Sequence, residues 1–480
     1  MFSMERNWLY GILALGLGAS AAVLLIGLPL QYYLLLCGAV AFFLIVYRRI
    51  EWGVGLLVAS MFFEQPILPV ATELSLTRIL SLPILFVCFL KIILERKHLA
   101  FQRHKDMAVI LFFLWSLASL SRAVDVDAAI SGLLTLVQLI VMYFVLKAVI
   151  SNEVEFKRVL RATVVVAFTL AVWTIGSQLM QPGSLLYSTT LSLSERISGT
   201  SDDPNKFAMN LVFVLPLSIY LFTSQRNWYI AAVAIFAVLT LATFSRGGYV
   251  ALALVLILSL VQLRRAPNVK LGYILLMLVT FGVSFAALNR GNRVLDRIQS
   301  LEHYQQGSIR TRYELAEVAV DMGINNPVFG VGLNNFVPNS QYYGNQQHYE
   351  RAAHNGYLEV FATLGLPGFI LLAVIICLSF QDIAKFLGRV RHPDDRLMAI
   401  FLKIAFIGYL AAAMFLSLMT QKIFWTMIAF SSLLYKFYEK SYENHKPKML
   451  KKKSQPQLRE GSLGGRKWEL VDSPSAWSIN

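Results

Sequence analysis

Charge is what this chain has least of. Only 15% of its 480 residues are Asp, Glu, Lys or Arg, against 56% hydrophobic residues, and the mean hydropathy is +0.58. That balance excludes a water-soluble globular enzyme, in which about a quarter of residues carry charge. Cysteine is scarce too. Cys37, Cys88 and Cys377 show neither metal-ligand spacing nor evident pairing, so a disulfide framework and a zinc module are excluded, and all three read as small core residues in apolar runs. What fills the chain instead is apolar sequence in runs near the 17–25 residues that cross a hydrocarbon core. Fourteen are read, at roughly 8–27, 30–47, 53–70, 75–94, 107–121, 129–150, 160–180, 205–224, 227–244, 247–263, 271–288, 357–380, 400–420 and 422–437. In lipid the backbone must satisfy its own hydrogen bonds, which runs of this length do as helices. The expected fold is all-α: a polytopic membrane protein with about 12–14 transmembrane helices. The first run lacks a small-residue cleavage pattern and is followed at once by another, so it reads as an anchor.

The net charge of +15 raises the question of nucleic acid, and its distribution answers it. With loops assigned alternately and the N-terminus inside, most Lys and Arg fall on one side: Arg48-Arg49, Lys91 to Lys105, Lys147 to Arg161, Arg264-Arg265, Lys385 to Arg396 and Lys451-Lys452-Lys453. That is the positive-inside bias, and it predicts cytoplasmic N- and C-termini. No nucleic-acid motif accompanies the charge, so nucleic acid is not an expected partner. Residues 1–441 read as one membrane domain without internal repeat. Residues 442–480, rich in Lys, Ser, Gly and Pro, read as a basic cytoplasmic tail whose composition predicts disorder.

Two polar segments interrupt the spans, at about 181–206 and in one large loop at about 289–355, and the alternation places both outside with the Ser245-Arg246-Gly247-Gly248 turn. Within the large loop, Leu315, Val318, Ala319 and Met322 follow helical spacing, predicting an interfacial amphipathic helix over 308–322 that ends near Asn325-Asn326-Pro327. Gly330-Val331-Gly332-Leu333-Asn334-Asn335-Phe336 then reads as a flexible turn back to the membrane.

The groups able to carry chemistry gather in these outer segments. His354 can exchange a proton near neutral pH; an interfacial histidine bonded to backbone is the plainer reading. Arg246 precedes two glycines that would let backbone approach an anion, and its fork suits phosphate oxygens; a snorkelling arginine on lipid phosphate is the alternative. Arg310 and Arg312 open the expected loop helix, where backbone N–H groups would join them around a phosphate; otherwise they belong to a solvated face. Arg196 and Lys206, with Asp202 and Asp203, form either part of the site or a surface ion-pair cluster. Asp125-Val126-Asp127 spells a DxD, a weak metal signal at three residues, and His348 adds little as a second ligand.

Together, Ser245-Arg246-Gly247-Gly248, the Arg312 helix leading to Pro327-Val328-Phe329-Gly330-Val331-Gly332, and His354-Asn355-Gly356-Tyr357-Leu358 resemble the O-antigen ligase and polysaccharide polymerase family of bacterial membrane glycosyltransferases, most strongly over residues 190–375. The resemblance implies a GT-C-like fold with a large periplasmic loop in the cytoplasmic (inner) membrane. It implies glycan transfer from undecaprenyl diphosphate to an acceptor hydroxyl, with inversion and without metal or other cofactor. Arg246 and Arg312, with Arg310 beside it, would hold the diphosphate; His354 would orient or deprotonate the acceptor; Arg196, Asn205 and Asn355 are further binding candidates. The acceptor would be another glycan, lipid A-core or a protein, with membrane lipids around the site and a chain-length regulator as a further partner. Two positions depart from the family pattern: Thr363 stands where many members carry an acidic residue, and Ala316 where many carry tryptophan.

Polymerase and ligase share this donor chemistry, and polymerase is slightly preferred. The reading from a different class is a transporter or flippase for lipid-linked sugars or a small anion. Ionisable groups within the spans would favour transport, and groups at one membrane surface would favour surface chemistry.

Overall fold

The structure is a computed structural model that describes residues 16, 18, 30–61, 76–97, 101–180, 203–224, 228–264, 301–343, 351–445, 459–463 and 466–470. Its helices are α1 (Leu30–Arg48), α2 (Ile50–Ser60), α3 (Leu76–Leu94), α4 (Arg103–Ser119), α5 (Val126–Val149), α6 (Glu153–Met180) and α7 (Pro204–Ser224). There follow α8 (Tyr229–Ala242), α9 (Arg246–Leu263), α10 (Leu301–Asn325), α11 (Phe336–Tyr343), α12 (Gly356–Arg389), α13 (Pro393–Ala412) and α14 (Lys422–His445).

The fold is the expected all-α polytopic membrane protein. Among the described residues six helices are long and apolar enough to cross a membrane: Val126–Val149, Glu153–Gly176, Pro204–Ser224, Arg246–Leu263, Gly356–Arg389 and Pro393–Phe415. Ile50–Ser60, Leu80–Leu94 and Tyr229–Ala242 are apolar but shorter. Most of the expected run 8–27, residues 62–70 and all of 271–288 lie outside the described residues. The helix α7 is apolar on every face and buried from Phe207 to Phe222, which makes it the central post, with α8, α9 and α13 packed around it. A second group sets α12 between α4 and α14, with α10 lying across its outer half.

Four expectations need correcting, the last of them the flexible turn from Gly330 to Phe336. Cys88 is buried, but Cys377 faces outward from α12 and is no core residue. Residues 459–463 and 466–470 pair as an antiparallel hairpin inside the tail. The loop helix starts at Leu301, not near Ser308, so Arg310 and Arg312 sit within α10 and its first-turn amides are not beside them. The expected apolar stripe holds: Leu315, Val318, Ala319 and Met322 are buried against Val331, Phe336, Ala353 and Ala362.

The segment 327–332 is not a flexible turn but a clasp. Helix α12 breaks at Gly365, whose φ of 68° and ψ of −170° leave the helical region. The break leaves the Ala362 and Thr363 carbonyls without helix partners, since Leu366 N–H turns to Pro327 and Pro367 has no N–H. Val331 N–H donates to Ala362 C=O at 2.9 Å, Gly332 N–H to Thr363 C=O at 3.1 Å, and Leu366 N–H to Pro327 C=O at 2.8 Å. Trp115 on α4 seals the joint, donating from Nε1 to Leu364 C=O at 2.9 Å and stacking on Phe329 at 4.8 Å. So close an approach tolerates no side chain. A Cβ on Gly330, itself at φ +65°, would lie 2.3 Å from the Thr363 carbonyl carbon. Gly330→Ala is therefore expected to lower stability by about 2 kcal/mol or more, through left-handed strain and backbone collision. Thermal unfolding in detergent checks this, and an unshifted midpoint would mean that the clasp is not held.

Beyond the clasp, Asn335 is fully buried and pairs with the backbone of Asp125: its Oδ1 accepts from Asp125 N–H at 2.8 Å and its Nδ2 donates to Asp125 C=O at 2.9 Å. Leu333 N–H donates to the Ser119 hydroxyl at 3.2 Å. The large loop is thus pinned to the α4–α5 connection as well as to α12.

At the opposite end of the same helices four ionised side chains are buried together. Lys105, Asp106, Lys147 and Asp382 are each 2% exposed or less. Lys105 Nζ donates to Asp382 and Ile428 C=O, each at 3.0 Å, and to the Ser431 hydroxyl. Asp106 accepts from Lys147, the Tyr143 hydroxyl and Gln102 N–H. Lys147 and Asp106 join α5 to α4, and Lys105 joins α4 to α12 and α14. The sequence reading took these lysines only as topological charge.

Candidate functional site

Three helix starts meet at the clasp end, each with a side-chain cap. Asp203 precedes Pro204 and accepts from Asn205 N–H at 2.8 Å, the Asp-Pro signature of a helix start. The Ser245 hydroxyl accepts from Gly248 N–H at 3.2 Å at the head of α9. Asn355 Oδ1 accepts from Tyr357 and Leu358 N–H at 3.1 and 3.2 Å at the head of α12. Each such terminus carries partial positive charge from its aligned peptides.

Between these starts lies the segment after α13. The Phe415 ring fills the space over Gly247, where a Cβ would meet ring atoms at 2.7 Å, and Gly248 lets α9 approach Ala208 of α7. The two glycines therefore serve close packing of the site's floor, in addition to any approach by an anion. The Arg312 guanidinium lies 5.9 Å from the centre of the same Phe415 ring, within cation–π range. Gly356 packs on Leu416 and Leu418 of this segment, which fixes the start of α12 beside it.

The charges of Arg246, Arg312, His354 and Asp203 act on one another here. Arg312 is half-buried, and burial followed by repulsion from Arg246 lowers its pKa against the pull of Asp203; a guanidinium remains charged. His354 is pushed below its ordinary 6.5, first by burial, then by Arg312, with Asp203 opposing and Arg351 adding to the fall. Its backbone sits in the left-handed region at φ 49°, and Phe244 before the Ser245 cap does likewise at φ 51°. Histidine is among the few side chains often found there.

Of the candidate residues, then, Arg246, Arg312 and His354 come together. Asn205 reaches the group through Asp203, to which its Nδ2 also donates at 2.9 Å. Asn355 is present as the α12 cap. Arg310 does not join them: it is exposed and paired with Glu314 at 2.8 Å, one turn along α10. Arg196 and His348 lie outside the described residues. The DxD serves as a helix start, with Asp125 capping α5 by accepting from Ala128 N–H at 2.9 Å. Thr363 donates to Glu359 C=O at 2.7 Å and its own carbonyl receives the clasp, so its role is in the helix break.

Sequence reasoning leaves Asp203 between the site and a surface ion-pair cluster, and it misses two residues outright. Arg351 stands three residues before His354. Glu359, in the first turn of α12, has its carboxyl beside Ser417 with Oε2 enclosed and lacking a hydrogen-bond partner among the described residues. An acidic residue at the head of an apolar run was the available signal.

The apolar spans make this a multi-pass membrane protein, and its arginines, histidine and helix N-termini gather at one end of the bundle. Residues 230–373, the stretch that carries Arg246, Arg312, the clasp and His354, match the family model described as O-Antigen ligase. The match covers less than a third of the chain and makes this stretch similar to O-antigen ligases. A comparison of the whole chain with curated proteins finds none that matches.

Proposed function

We propose that this protein transfers a glycan from undecaprenyl diphosphate to an acceptor hydroxyl at the outer face of the bacterial cytoplasmic membrane, with both termini in the cytoplasm. The observation that carries the reading is the convergence of Arg246 and Arg312 with three helix N-termini around a histidine held neutral by its surroundings. Guanidinium groups and helix starts suit the diphosphate, whose charge grows as the bond from the anomeric carbon to the phosphate oxygen breaks. Neutral His354 suits the acceptor, taking its proton as the hydroxyl oxygen bonds to the anomeric carbon from the opposite side. That displacement inverts the centre and is balanced without a metal. The acceptor is another lipid-linked glycan in a polymerase, or lipid A-core or a protein in a ligase, and polymerase is the slightly preferred of the two.

The buried ion pairs between α4, α5, α12 and α14 are the observation that favours a transporter. They lie away from the arginine–histidine group, and all three Lys105 donors are already taken up by protein acceptors. We therefore read them as struts.

The test supplies a lipid-diphosphate-linked oligosaccharide to purified protein in nanodiscs with EDTA, with and without a second acceptor. Transfer is expected in EDTA and is expected to collapse in Arg246→Ala. A ladder from donor alone makes the protein a polymerase, and products only with added acceptor make it a ligase. Movement of donor across the bilayer without transfer would replace this reading by the transporter, and a strict need for divalent ion would end the metal-free mechanism.

Acidity supplies a further prediction. With its pKa below 6.5, His354 is mainly neutral at pH 6.5 and above, so the acid limb of transfer is expected to fall with a midpoint below 6.5. Arg351→Gln should move that midpoint up and Asp203→Asn should move it down, since each removes the opposite influence. A midpoint indifferent to both variants would separate the limb from His354.

A further inference from the structure

The end of the bundle away from His354 contains a cavity of about 590 Å³ that the proposed reaction does not use. Phe386, Gly388 and Arg389 at the end of α12 line it, with Arg391 and His392 of the α12–α13 turn and the aromatic pair Phe437 and Tyr438 of α14. Its polar side is cationic. The Arg389 guanidinium lies 5.0 Å from the centre of the Tyr438 ring, within cation–π range. Arg391 is exposed on the turn. Two carboxylates also border the space. Asp395 is occupied by Lys157 at 2.6 Å, and Glu153 begins α6 on the far wall.

We propose that this cavity binds the phosphate-bearing headgroup of an anionic phospholipid. Two arginine forks suit a phosphodiester, whose oxygens accept paired N–H donors. The half-buried Tyr438 ring, over a floor formed by the buried Phe386 and Phe437, suits the glycerol region. Position selects lipid over a free phosphate: α6, α12, α13 and α14 all reach the cavity at or near their ends, the depth at which a leaflet presents its headgroups. Basic residues in this stretch set topology by the positive-inside rule, and the cavity gives two of them a particular ligand. The inference is independent of the glycan reading.

The experiment uses the full chain in detergent mixed with phosphatidylglycerol or phosphatidylcholine, counting retained lipids by native mass spectrometry and following the thermal midpoint. Wild type should retain one more phosphatidylglycerol than Arg389→Gln/Arg391→Gln, whose apparent affinity should fall about tenfold or more. Arg389→Lys/Arg391→Lys, which keeps charge and loses the fork, should fall between. Glycerol 3-phosphate and inorganic phosphate form a third arm. Equal retention by wild type and the glutamine variant, or equal retention of the zwitterionic lipid, would overturn the proposal. Stabilisation by either soluble phosphate as strong as that by lipid would overturn the lipid as occupant.

Discussion

Glycan transfer by His354→Ala is expected to fall about 10²–10⁴-fold, the range a positioned general base contributes. The substitution needs a control, because His354 stands at φ 49° and alanine is strained there. Asparagine tolerates that conformation and can still hydrogen-bond, but it cannot exchange the proton. His354→Asn is therefore the sharper variant: it should fold and insert as wild type, bind donor through Arg246 and Arg312, and lose turnover. A loss in KM with kcat preserved would assign the histidine to binding alone. Transfer by His354→Asn within a few-fold of wild type would remove it from the chemistry, and Glu359, with its enclosed carboxyl oxygen, would then be the next group to replace.

The largest effect on stability is expected at Asp382. Its carboxylate accepts from Lys105 and Gln102, and Lys105 places its remaining donors on Ile428 C=O and the Ser431 hydroxyl. Asp382→Ala leaves a fully buried ammonium without its counter-charge, a change that costs about 3–5 kcal/mol in buried pairs. Removing both charges is different in kind. Lys105→Met with Asp382→Leu takes away the orphan together with its partner, and such replacements are often neutral or stabilising. Unfolding in detergent should thus show a deep loss in the single variant and recovery in the double. A single variant within about 0.5 kcal/mol of wild type, the size of an ordinary surface change, would mean that water reaches the pair.

The same pair shows where reading a sequence stops. Lys105 and Asp382 stand 277 positions apart, and each falls next to other charges that read plainly as the inner ends of spans. Local pattern carried the loop helix well, because four apolar residues at helical spacing have only one face to bury. It also held the distinction between Arg310 and Arg312, unused: two residues are about 200° apart around a helix, so only one of them can face the site. The clasp was out of reach for another reason. The amides of Val331 and Gly332 find partners because α12 breaks at Gly365-Leu366-Pro367, over thirty residues later; that Gly and Pro mark a break in the span, but nothing local says which segment will meet it. Arg246, Arg312 and His354 are readable as a group through their shared placement in outer segments and the family resemblance, whereas Asp203, among the charges of its loop, reads equally well as part of a surface ion-pair cluster.

The floor of the site has an order of assembly written into it. Phe415, which lies over Gly247 and under Arg312, is supplied after α13, and the Asp125 backbone that holds Asn335 is supplied just before α5. The stretch 230–373 contains every arginine and histidine of the central group yet neither of these supports. During synthesis the Asp125 backbone therefore emerges ahead of the charged groups and Phe415 after them, and a chain stopped short of residue 413 would carry the whole signature without the ring beneath it. Excised fragments of the matched stretch should accordingly be poor surrogates for the protein, however complete their motifs.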